Sequence, residues 1–209
     1  MQIINTETSR WPMSVHDVMA EEHAAGTIIV IGDGYEGHGP YRVVTIRDQP
    51  ACDPLAEAIV ELPPEPDEDG HWFQDFAVRP LSAEETTAAL QADKDRLQAA
   101  ATAHRWAVET GGVTLATGAR VGTTVEDQNR ITTVIANAQL AGVTEVDFKA
   151  KSGWVSLTLD ELRGIASAIA QHVQACFSAE RAHHEAIDAV STRAQAEAYD
   201  VTQGWPSGG

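Results

Sequence analysis

The stretch Val146-Asp-Phe-Lys-Ala-Lys-Ser-Gly-Trp-Val-Ser-Leu-Thr-Leu-Asp-Glu-Leu162 holds a strand, a turn, a return strand and a helix start in immediate succession. Val146 and Phe148 alternate with Asp147 and Lys149, the two-residue period of a half-buried strand. Ser152-Gly153 supplies the turn, and Trp154 to Leu157 reads as the returning strand. Thr158 and Glu161 form a T-x-x-E capping box, in which each side chain accepts a backbone amide that the new helix leaves unpaired. Beyond it Leu162, Ile165, Ala166, Ile169, Val173, Cys176 and Phe177 recur at three- and four-residue steps, so they share one helical face. The pattern is architectural: none of these positions pairs a nucleophile with a base.

The same grammar extends in both directions. Val113-Thr-Leu115 and Arg120-Val121 flank Gly118 as a hairpin, and Thr123 with Glu126 is the expected cap of a further helix. Its stripe is Ile131, Val134, Ile135 and Ala138, and Gly142 is its stop. Thr192 and Gln195 cap a last helix carrying Ala196 and Tyr199, and the tail from Pro206 to Gly209 reads as loose. Residues 111–209 therefore read as hairpin, helix, hairpin, helix, helix. Residues 1–80 read as a small strand-rich domain. Ser14 and Asp17 cap a short helix through Glu22; Thr27-Ile-Ile-Val-Ile31 and Tyr41-Arg-Val-Val-Thr-Ile46 are β-branched runs; Ala58-Ile-Val-Glu-Leu62 ends at Pro63-Pro64. His71 to Val78 reads as one strand with Trp72, Gln74, Phe76 and Val78 on a common face. Residues 81–110 form a connecting helix, capped by Ser82 and Glu85 and stopped by Gly111-Gly112. The whole is an α+β chain. On the connecting helix Leu90 and Leu97 are seven apart with His104 in phase, which marks these three as a candidate interaction surface. The competing reading is that the leucines pack within the chain.

A family resemblance rests on these residues. Phe148 to Leu162, the later His172-Val-Gln-Ala-Cys-Phe-Ser-Ala-Glu180 and the closing Gly204-Trp205-Pro206 together resemble a C-terminal domain of unknown function common in bacteriophage tail-fibre-associated proteins. The similar region begins near Arg105 and includes Glu109-Thr-Gly-Gly-Val113. In the N-terminal half Trp11-Pro-Met-Ser14, Gly70-His-Trp72, Val78 and Leu81-Ser-Ala-Glu-Glu85 are similar to the usual leader of such proteins. The resemblance implies a non-enzymatic tail protein, built into the tail-fibre or tail-tip region or serving as a fibre-assembly chaperone. Its partners would be other tail or fibre proteins, copies of itself or a symmetric partner. It would be made in the host cytoplasm and reside in the virion tail. The resemblance brings no catalytic residues.

Composition agrees with a globular chain: of 209 residues 43% are hydrophobic and 22% charged. The formal charge of −17, with only 14 Lys and Arg, opposes nucleic-acid binding, which needs clustered cations to neutralise phosphate. It equally opposes adsorption to an anionic membrane. No apolar run approaches the roughly twenty residues of a membrane span, and the start lacks the basic and apolar regions of a signal peptide. Cys52 and Cys176 read as free thiols, with a disulfide between the halves as the alternative. Gly32-Asp-Gly-Tyr-Glu-Gly37 matches G-x-G-x-x-G, but His38-Gly-Pro40 follows where a dinucleotide site needs a helix, and Asp33 and Glu36 repel phosphate. It reads as a loop. His172, Cys176, Glu180 and His183 or His184 fall at helical spacing that suits zinc ligands, the one candidate site for a small metal-dependent virion enzyme. The competing reading is a buried thiol beside solvated imidazoles. Asp67, Glu68 and Asp69 lack the ligand alternation of a calcium loop. No metal, cofactor or catalytic residue is therefore assigned. Trp72, Trp106 and Trp154 read as core anchors.

Overall fold

The structure, a computed structural model, describes residues 1–115, 118–150 and 153–207. Ser152 of the expected turn, the side chain of Phe148 and the terminal Gly208 and Gly209 lie outside this description. The chain forms two compact units, Met1–Thr86 and Thr87–Gly209. Strands predominate early and helices late, so the fold is α+β.

In the first unit β1 (Gln2–Asn5) pairs antiparallel with β2 (Arg10–Met13) on one side and β4 (Tyr41–Ile46) on the other. The far edge of β4 takes the short β3 (Gly37–His38) and then β7 (Trp72–Gln74), the latter in parallel, and β6 (Glu65–Pro66) closes the sheet beyond β7. A separate hairpin-like pair joins β5 (Glu57–Glu61) to β8 (Phe76–Pro80). Helix α1 (Val15–Ala24) starts at the Ser14–Asp17 capping box. It packs Val18 against Ile3, Met13 and Tyr41, the buried centre of the unit.

Two expectations for this unit change. Residues 27–31 form no strand: Ile29 and Ile31 turn onto the core while Ile28 and Val30 stand 88% and 91% exposed. The β-branched alternation is present, but no neighbouring strand takes up its backbone groups. Residues 71–78 are two strands rather than one. The chain breaks at Asp75, whose carbonyl accepts from Leu62 N, so β7 joins the main sheet and β8 joins β5.

The second unit takes in all but the first turn of α2 (Ala83–Thr110), so that helix is a core element of the unit rather than a free rod. After it come the hairpin β9 (Val113–Thr114) and β10 (Arg120–Val121), α3 (Val125–Ala141), the hairpin β11 (Glu145–Ala150) and β12 (Gly153–Thr158), α4 (Leu159–Asp188) and α5 (Arg193–Glu197). The caps at Thr158–Glu161 and Thr192–Gln195 are in place. Gly142 adopts the left-handed conformation (φ 68°) that ends α3. The α3 cap is one residue later than the spacing implied, at Thr124 with Asp127, because Thr123 is drawn inward and fully buried. On α4, Leu162, Ile169 and Cys176 are buried as the stripe requires. Phe177 is not; nor are Trp106 and Trp154, which stand half or more exposed instead of anchoring the core. Among the described residues both cysteines are free thiols, and no helix is long and apolar enough to cross a membrane.

Thr158→Ala removes the α4 cap and is expected to cost about 0.5–2 kcal/mol. Ile169→Ala opens a cavity in the buried stripe and is expected to cost more, about 2–5 kcal/mol. Urea denaturation of both variants measures the difference, and equal small effects would show the helix phase to be wrong. At the start of α2, Glu85 accepts two hydrogen bonds from Arg79 (2.8 and 2.6 Å) and one from Ser82 N (2.8 Å). The Arg79 guanidinium first, and Ser82 second, bring its carboxyl from 4.5 down to about 2. A folded value below the ordinary one means that this tether is fully present above pH 4.5 and is lost as pH falls through 2. Carboxyl NMR titration should find a Glu85 midpoint near 2 that rises toward 4.5 in Arg79→Ala. A midpoint already at 4.5 in the parent protein would show the tether to be absent.

Candidate functional site

The C-terminal end of α2 concentrates the polar chemistry of the second unit. A helix end leaves carbonyl groups without intrahelical partners, and here side chains from several elements take them. Thr123 Oγ1 donates to Glu109 O and accepts from Gly112 N at 2.9 Å. His172 Nε2 lies 3.1 Å from Val108 O, which assigns the proton to that nitrogen. Thr110 Oγ1 donates back to Trp106 O at 2.7 Å, and Arg120 donates to Gly111 O at 2.8 Å. Gly112 makes the close approach possible: its φ is 96°, and a Cβ there would stand 2.8 Å from Val121 O.

One turn earlier Arg105 joins two carboxylates. It ion-pairs with Glu109 on its own helix and with Glu180 of α4, where Nε lies 2.9 Å from Oε2 without the N–H pointing along that line. Its guanidinium also sits 4.6 Å from the Phe177 ring centre, which accounts for the position of that exposed ring. Glu109 is buried in the last turn of a helix, where the dipole is negative, and Arg105 is the cation that pairs with it there. Burial, with Glu109 adding to it, pushes the Cys176 thiol above its ordinary value and keeps it protonated.

The four side chains weighed as zinc ligands are thereby divided. His172 turns to Val108 O with the Cys176 sulfur 3.8 Å away, and Glu180 turns to Arg105. His183 is held between Tyr199 OH (2.8 Å) and Gln203 O (2.9 Å) and stacks on Trp205 at 5.0 Å, while His184 lies 3.4 Å from Thr102 Oγ1. Among the described residues the one close group of three potential ligands is exposed: Asp67, Asp69 and His71, in the acidic loop read as a turn. Asp67 Oδ1 there accepts the backbone amides of Asp69 and His71, as in an ordinary Asx turn. The Gly32–Gly37 segment forms turns and enters β3 without a helix.

The candidate interaction surface also has a different place. Leu97 is buried with Ala101, Ile187, Val190 and Ala196, Leu90 packs against that cluster, and His104 meets the Trp205 ring at 5.1 Å. The heptad-like spacing is real, but α4, α5 and the tail of the same unit satisfy it.

A second site lies in the first unit and was not visible as a site in the sequence. It is a cleft of about 430 Å³ lined by Trp11 of β2, Trp72 and Gln74 of β7, Glu61 at the end of β5, and Pro63-Pro64. Gln74 is 4% exposed and donates to Glu61 Oε2 at 3.3 Å. Ser9, which also lines the cleft, adopts the left-handed region (φ 56°), alone among the described non-glycine residues. The alternation of Trp72 and Gln74 was legible, but their meeting with Trp11 depends on the sheet order β2-β1-β4-β7.

Arg105→Ala would leave the buried Glu109 and the half-buried Glu180 without their shared cation and is expected to cost on the order of 3–5 kcal/mol. Arg181→Ala removes an exposed pair with Glu185 (2.8 Å) and is expected to cost about 1 kcal/mol or less. Similar costs for the two in urea denaturation would remove the Arg105 tie from the account.

Residues 92–203, more than half of the chain, match the family described as a domain of unknown function (DUF4376). The match starts inside α2, earlier than Arg105, and takes in α3, both hairpins, α4 and α5. No curated protein and no solved structure matches the chain. With α3 to α5, both hairpins of the second unit and the polar cluster around Arg105 inside the matched region, this chain belongs to the DUF4376 family.

Proposed function

We propose that this chain is a non-enzymatic bacteriophage tail protein, a component of the tail-fibre or tail-tip region that docks on other tail or fibre proteins. The observation that carries this reading is where the chemistry-bearing side chains of the second unit go. Arg105, Glu180, His172 and His183 each bind another part of the same unit, and Glu109 pairs with Arg105 on its own helix, so they tie the unit together. Cys176, the strongest nucleophile among them, is buried and held protonated. The tail-fibre part rests on the resemblance of Phe148–Leu162, His172–Glu180 and Gly204–Pro206.

A scaffold of this kind binds through its surface. Leu90, Leu97 and His104 being used inside the unit, Trp154 on β12 supports docking better: the residue is 72% exposed, and tryptophans are frequent energetic anchors at interfaces. Tail structures are cyclic, so the partner is a ring of copies or a symmetric assembly.

Mass spectrometry of purified particles tests the reading. The chain is expected in the intact particle in several copies. Its absence from particles, together with recovery bound to fibre precursors in infected cells, would assign it to assembly instead. Absence from both would overturn the tail reading.

A further inference from the structure

The cleft of the first unit is built for a donor-rich cation. Its polar lining includes two acceptors that lack a cation or a donor of their own. Glu61 offers a carboxylate that meets no cation among the described residues, and its one hydrogen bond comes from Gln74 Nε2. That contact uses an amide donor and leaves Gln74 Oε1, on a side chain almost wholly buried, without a hydrogen bond among the described residues. Thr6, also lining the cleft, has turned its hydroxyl proton to Pro40 O at 2.9 Å. A ligand that satisfies Glu61 and Gln74 Oε1 must bring N–H or O–H bonds.

The rest of the lining narrows the choice. Trp11 and Trp72 contribute indole surfaces, whose negative faces attract cations. The formal charge of −17 concentrates cations near the surface and repels phosphate, sulfate and carboxylate ligands. The volume, about 430 Å³, lies in the range of about 300–1,000 Å³ that small ligands and side chains occupy. Among biological groups the guanidinium fits best: it carries five N–H donors and no acceptor, is always charged, and is planar enough to lie on an indole.

We infer that the cleft bounded by Trp11, Trp72, Glu61, Gln74 and Pro63-Pro64 receives an arginine side chain presented by a partner protein. Glu61 pairs with the guanidinium, Gln74 Oε1 takes one of its N–H groups, and the indoles flank its plane. The inference rests on the first unit alone and holds whether or not the chain resides in a phage tail.

The test uses the full chain and the blocked peptide Gly-Gly-Arg-Gly-Gly, followed by NMR of the tryptophan indole N–H signals. Signals are assigned with Trp11→Phe and Trp72→Phe. The arginine peptide should shift Trp11 and Trp72 and leave Trp154, in the other unit, unmoved. The citrulline peptide, equal in shape but uncharged, should leave all three in place. The lysine peptide should bind several-fold more weakly. Glu61→Gln, a conservative change at an exposed strand end, should weaken arginine binding by about tenfold, the value of one charge-assisted hydrogen bond. Equal binding of citrulline, equal binding of lysine, an unchanged affinity in Glu61→Gln, or no shift of Trp11 and Trp72 at roughly 10 mM peptide would each overturn the assignment.

Discussion

The second unit depends on one cation. Arg105 stands where two long helices, α2 and α4, both bring carboxylates, and without it Glu109 would carry a buried charge at the negative end of its own helix. The position also sets direction. An arginine that bridges i to i+4 on one helix and reaches a second helix fixes the rotation of each about its axis. That rotation presents Leu97 and Ala101 to Ile187, and it points His172 of α4 at the carbonyl of Val108. Apolar burial supplies most of the stabilisation, but it is non-directional. The guanidinium and the hydroxyl of Thr123 decide which of several similar helix packings is adopted.

The first unit solves a comparable problem differently. Its core is small, and the polar side chains beside it converge on Glu21, which accepts from Asn5 at 3.4 Å, from Tyr41 at 2.9 Å and from Arg10. Burial, and then the bond to Glu21, push the Tyr41 hydroxyl to about 12, so it stays a donor across the physiological range. The same helix that buries Val18 therefore also holds β1 and β4 by their polar ends. Both units use a charged helical residue to orient elements that apolar contacts merely gather.

The sequence was informative wherever a signal was local. The capping boxes at Ser14, Ser82, Thr158 and Thr192, the stop at Gly142 and the hairpin before Thr158 are statements about residues three or four apart, and they stand in the structure. Thr123 shows the limit. By spacing it was as good a cap as Thr124, but Glu109 and Gly112, distant in sequence, claim its hydroxyl. Leu90 and Leu97 show the same limit for packing, since periodicity gives the apolar face of a helix and says nothing of what covers it. Trp154 was misread for a related reason: alternation along a strand tells which residues share a face, and which face is wet depends on the rest of the fold. The cleft was illegible because its walls come from four strands whose order is not written locally.

Trp205 bears on how this protein can be dissected. Its ring lies against both His104 and His183, and its indole N–H donates to Val201 O at 2.7 Å, so the tail closes over the helices like a latch. The family match ends at residue 203 and begins at residue 92. A fragment trimmed to those limits would discard the latch at one end and Leu90 at the other, uncovering the apolar cluster around Leu97. The compact unit, Thr87–Gly209, is therefore longer than the recognisable family segment at both ends. Shuffling of this domain between proteins would have to carry those flanking residues along, or supply replacements for them.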